Sequence, residues 1–101
     1  MKLQPQEMLV LRHLASTGSI SSVEANAVHK VRSLSRRITS INDALDYYVN
    51  EQGSGVPPND NGTVPQIRKE YKRDATGQRY VRYHLDKDVA QKLLDRLSEA
   101  A

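Results

Sequence analysis

Four cations, Lys30, Arg32, Arg36 and Arg37, fall within eight residues, and no acidic residue occurs between Glu24 and Asp43. A guanidinium is a planar fork of donors that matches two phosphate oxygens or the O6/N7 edge of guanine. Among these cations stand Ser33 and, just beyond them, Ser40, short enough to contact a phosphate or a base edge. Upstream, Ser21 and Ser22 open a short helix whose free N–H groups favour an anion. A second basic group, Lys72, Arg73 and Arg79, brackets Asp74-Ala75-Thr76-Gly77. These residue types suit a polyanion, and their spacing suits double-stranded DNA. Catalytic chemistry has no comparable pattern. No glycine loop for phosphates, no metal-ligand cluster and no Ser/His/Asp set stands on defined elements. His13, His29 and His84 lack zinc spacing, and the absence of cysteine excludes disulfides, thiolate metal sites and Cys nucleophiles. The expectation is a non-enzyme without cofactor or metal.

With 101 residues the chain has room for one small domain, 1–101. Phe and Trp are absent and five Tyr are the only aromatics, so the core must be aliphatic. No apolar run reaches the roughly 18 residues of a membrane span, and no signal-peptide segment opens the chain. A soluble, cytoplasmic protein without membrane contact is expected. The net charge of +3 is distributed in blocks: +4 over residues 25–42, −4 over 43–65, +4 over 66–82. Two basic surface elements follow from that alternation.

The elements that must carry these groups can be read in turn. Pro5 suits a helix start, and Met8, Leu11, Leu14 and Ala15 give a helix over 5–17 that ends at Gly18. Ser21-x-x-Glu24 is a capping box for a brief second helix, 22–28, with the turn at His29-Lys30. Val31, Leu34, Ile38, Ile41 and Leu45 lie within about 80° at 100° per residue, which predicts a third helix over 31–49. Opposite them lie Arg32, Arg36, Thr39, Ser40 and Asp43, so Arg32 and Arg36 face outward one turn apart. A Gly-, Pro- and Asn-rich flexible loop follows at 51–63. Alternating Val81, Tyr83 and Leu85 mark one strand of a β-hairpin over 65–85, with the basic group at its tip. Asp86 caps a last helix, 87–99, carrying Leu93, Leu94 and Leu97.

Helix, helix, helix, hairpin is the order of a winged helix-turn-helix. The runs VEA, SLSRRITSI and IRKEYKRDATGQRYVRYHL resemble a small helix-turn-helix family of bacteriophages and prophages, over roughly residues 8–85. The chain departs from that family by an insertion over 46–65 and by His29-Lys30 in place of a glycine. The fold class expected is mainly α with one β-hairpin (α+β), a winged helix-turn-helix with a C-terminal amphipathic helix. The resemblance implies DNA binding of uncharted specificity, often in regulatory or replication-associated phage genes, and transcriptional control in a phage or mobile element is the function expected. In that reading Arg32, Arg36 and the serines contact base edges or phosphates, and the hairpin tip grips backbone. Alternatives stand beside it. Arg37, on the shoulder of the core stripe, pairs with Glu24 or contacts DNA, and Arg36 pairs with Asp43 or contacts DNA. The tip cations grip DNA or protect a strand edge from aggregation. Tyr47-Tyr48 is a contact patch or lies under the last helix. A homodimer is expected, with Leu93, Leu94 and Leu97 as its seam. The competing function is a protein-interaction module that binds a host regulator or polymerase.

Overall fold

The computed structural model describes residues 2–99. Pro5 holds the first position of helix α1 (Pro5–Thr17), where its missing N–H leaves no bond unmade. Glu7 reaches back to accept the Gln4 N–H at 2.7 Å. Gly18 ends α1 in the left-handed region, φ 83°, and its N–H donates to the Leu14 carbonyl.

The chain then forms a three-residue strand, β1 (Ser19–Ser21), which the sequence reading did not contain. Helices α2 (Ser22–His29) and α3 (Leu34–Val49) follow, then β2 (Arg68–Arg73), β3 (Arg79–His84) and α4 (Lys87–Glu99). The sheet is antiparallel in the order β1-β3-β2. Ile20 lies opposite Tyr83 on one side of β3, and Lys69 lies opposite it on the other. The face carrying Ile20 and Tyr83 is buried, so the sheet closes one side of a core built from Leu11, Leu14, Ile41, Leu45 and Leu93. Beyond Tyr83 the hairpin outruns that core, and most of β2 is exposed.

Two expectations need correction, and one pair of alternatives divides. The third helix starts at Leu34, not at 31, because Lys30 (φ 54°) and Ser33 (φ 55°) are both left-handed and break the helical path. Val31 is still buried, which is why its spacing reads as helical. The proposed dimer seam is used inside the chain: Leu93 and Leu97 are buried where α4 packs on α1, and Leu94 is half-buried against the same core. Tyr48 is buried with the Arg96 guanidinium of α4 over its ring, but Tyr47 is half exposed.

Residues 50–67 hold neither helix nor strand, yet they are pinned to the body. Ser54 donates to the Tyr48 carbonyl, Glu51 pairs with Arg96, Val56 is buried, and Ile67 N–H donates to Asn42 on α3. That last bond sets where the hairpin leaves α3. Asp86 accepts from the Asp88 and Val89 N–H groups and so starts α4.

Candidate nucleic-acid interface

The cations of residues 30–37 separate into two kinds. Lys30, Arg32 and Arg36 are exposed, and among the described residues none of the three has an ion-pair partner. Arg37 points the other way and donates to the Glu7 carboxylate of α1 at 3.1 Å. The expected Arg37–Glu24 pair is therefore replaced by Arg37–Glu7. Lys30, Arg32 and Ser33 occupy the turn between α2 and α3, so Arg32 does not share a helical face with Arg36. Arg36 stands in the first turns of α3, on its outward side. Ser40, one turn on, is half-buried and donates to the Arg36 carbonyl at 3.3 Å. Further along the same side Asp43 is exposed, so the positive part of this surface ends near residue 40.

The start of α2 is fixed by Glu24. Ser21 N–H donates to its carboxylate at 3.0 Å, and the Ser21 hydroxyl accepts the Glu24 N–H at 3.1 Å. Arg82 of β3 reaches the same carboxylate at 2.8 Å and donates to Ser19 Oγ. His13 of α1 lies 3.6 Å away from it, and His13 Nδ1 meets His29 Nε2 at 3.1 Å. One carboxylate thus ties α1, α2 and the wing strand together. Burial, the largest single influence, pushes the Glu24 carboxyl up. The bonds with Ser21 and the charges of Arg82 and His13 outweigh it and hold the group below its ordinary value.

Ser21 is 2% exposed with its hydroxyl in the cap, so it is not a phosphate ligand through its side chain; the exposed Ser22 is the one left at that helix end. Ser21→Ala is expected to cost about 1 kcal/mol, with a fall in Tm of roughly 4–8 °C, measured by thermal melting. The sign of its pH dependence follows from Glu24. A depressed folded pKa contributes stability above the unfolded value, about 4.3, and that contribution is lost as pH falls through the lower folded value. The gap between parent and variant should therefore narrow on acidification.

On the hairpin the turn is held by Asp74, whose carboxylate accepts from Thr76 and from the Gln78 N–H. The Thr76 hydroxyl is the main reason its pKa lies below the ordinary value. Arg73 donates to the Gly77 carbonyl at 3.0 Å. Arg79 sits over the Tyr71 ring, and Lys69 lies over it from β2. Lys72 is on the opposite face, 3.8 Å from Glu70, which also bonds His84 at 2.8 Å. The His84 bond is the leading cause of the depressed Glu70 pKa. Lys69 and Tyr71 are not among the expected site residues and read from the sequence only as an irregular facing strand, although RKEYKR alternates in a way that places 69, 71 and 73 on one face. Between the first turn of α2 and β3 runs an open cleft of about 720 Å³, lined by Ser22, Glu24, Arg79 and Arg82 among others.

Short helices joined by a tight turn, a third helix with exposed cations at its start, and a hairpin in sheet contact with a strand before α2 now define the architecture. A family described as a winged helix-turn-helix domain matches residues 5–44. The fold is a winged helix-turn-helix. The matched stretch, under half of the chain, runs from α1 into α3, and the wing lies beyond it. Neither a curated protein nor a solved structure matches the chain. A winged helix-turn-helix suggests DNA as partner and is typically a binding module rather than an enzyme. Among the described residues no group of three or more His, Cys, Asp or Glu is placed to hold a metal ion, and no helix is long and apolar enough to cross a membrane.

Proposed function

We propose that the protein binds double-stranded DNA, placing the first half of α3 in the major groove while the wing grips adjacent backbone. The observation that carries this is the sorting of the cations. Arg37, Arg82 and Arg96 are ion-paired to Glu7, Glu24 and Glu51, whereas Lys30, Arg32 and Arg36 are exposed without such partners among the described residues. What distinguishes these three is their clustering at the α2–α3 turn and the start of α3, where the positive charge is free to meet a phosphate. Arg36 is the base-reading side chain; Lys30, Arg32, Ser33 and Ser22 lie where phosphates pass, and Ser40 supports Arg36 through its backbone bond. Together with the sequence resemblance, this supports transcriptional control in a phage or mobile element.

The test is a fluorescence-anisotropy titration with duplex DNA at 50 and 200 mM salt. Four to five phosphate contacts give a slope of about −4 in log K against log salt, hence roughly a few hundredfold weaker binding at the higher salt. No binding at 50 mM salt, or binding indifferent to salt, overturns the reading. In that event the half-exposed Tyr47 beside Asp43 and Asp46 would be the surface to follow, as a contact for a protein partner.

A further inference from the structure

Two arginines, Arg73 and Arg79, lie directly opposite each other at the end of the hairpin ladder. Like charges in that position destabilise a strand pair. Lys69 lies on the same face, since residues two apart along a strand share one side. Tyr71 sits among them, opposite Val81 and 58% exposed. The Lys69 ammonium is 5.4 Å from the centre of its ring and the Arg79 guanidinium 5.1 Å. The ring quadrupole attracts both cations and so gathers charges that would otherwise splay apart.

This face has a direction. It carries Ile20 and Tyr83 where the sheet covers the core, so its exposed end continues the side of the sheet on which the helices pack. The other face is different in charge: there Glu70 takes up Lys72 and His84. Lys69, Arg73 and Arg79 thus share the core-side face of β2 and β3 with no carboxylate of either strand, and the Arg73–Arg79 pair stands at its end.

The geometry points to Tyr71 as the positioning residue of a phosphate grip on the core-side face of the wing, with Lys69, Arg73 and Arg79 as its cations and consecutive backbone phosphates of duplex DNA as its ligand. The inference rests on the DNA-binding reading above. It adds Lys69 and Tyr71 to the wing surface and places Lys72 outside it. Cations already held against the ring lose less side-chain freedom on meeting phosphate, which is how the ring acts on affinity without touching DNA.

The experiment compares the full chain with Tyr71→Leu and Tyr71→Phe on one duplex across a salt series. Leucine keeps apolar cover opposite Val81 but has no quadrupole; phenylalanine keeps the ring and loses only the hydroxyl. Tyr71→Leu should bind roughly tenfold more weakly, with the salt slope smaller by about one to two. Tyr71→Phe should stay within about twofold of the parent, as the quadrupole is retained. Lys69→Gln should lower the slope by about 0.9, one phosphate contact. Duplex binding by Tyr71→Leu with the parent's affinity and slope overturns the inference while leaving the DNA reading standing. A phenylalanine variant as weak as the leucine one removes the ring's role. A parent that does not bind duplex DNA removes both readings.

Discussion

Arg36→Ala is expected to weaken binding to a preferred duplex by about 1–3 kcal/mol, to flatten base preference at the contacted position, and to leave the melting temperature almost unchanged. The expectation follows from where the side chain stands. It is exposed on α3 and carries no ion pair among the described residues, so its removal breaks no packing. Exposed substitutions away from caps, cores and ion-pair networks usually alter stability by less than about 0.5 kcal/mol. Arg32→Ala should behave differently. Its residue lies in the turn ahead of α3, between two left-handed positions, which in the proposed docking puts it at the rim of the groove rather than its floor. Its loss should weaken all duplexes alike and reduce the salt slope by about 0.9. Titrating both variants on two unrelated duplexes at two salt concentrations separates base reading from phosphate contact. Double-variant binding equal to the parent's would mean that α3 is not the recognition element.

How much of this could be read from the residues in order depended on the range of each interaction. Ser21 and Glu24 are three residues apart, so their reciprocal cap is visible as a motif. Tyr83, with Val81 and Leu85, alternates at the period of a half-buried strand, and it is buried. The start of α3 was misplaced for a specific reason: Val31 is buried at an angle that a helix would also give, and the breaks at Lys30 and Ser33 use no glycine to announce them. Strand β1 is too short for a period of two to show. The partner of Arg37 is thirty residues away on α1, and the partner of Glu24 is on β3, so only the packing of α1 and the sheet against the helices selects them. Leucines at 93, 94 and 97 give one pattern for two outcomes, a seam between copies or a cover over α1, and composition does not choose between them. The exposed cations were readable as a cluster, but which of them stay unpaired was settled by those distant carboxylates.

Arg37→Ala is expected to lower global stability by about 3 kcal/mol, near the low end for breaking a buried ion pair. Tm should fall by roughly 12–24 °C on the usual scale for a domain of this size. The Glu7 side chain is 6% exposed and the Arg37 side chain 24%. Removing the arginine leaves a carboxylate in the protein interior with only the Gln4 N–H to accept from. The reverse change should therefore cost less: Glu7→Gln keeps an acceptor for Gln4 and leaves a charge that can still reach solvent. Combining Glu7→Gln with Arg37→Met removes both charges at similar volume and should recover much of the loss, a coupling that urea denaturation of the parent, the Glu7→Gln and Arg37→Met single variants and the double variant would measure. The folded fraction of Arg37→Ala should bind duplex DNA as the parent does, because Arg37 faces α1. A variant with the parent's denaturation midpoint and weakened DNA binding would return Arg37 to the recognition surface.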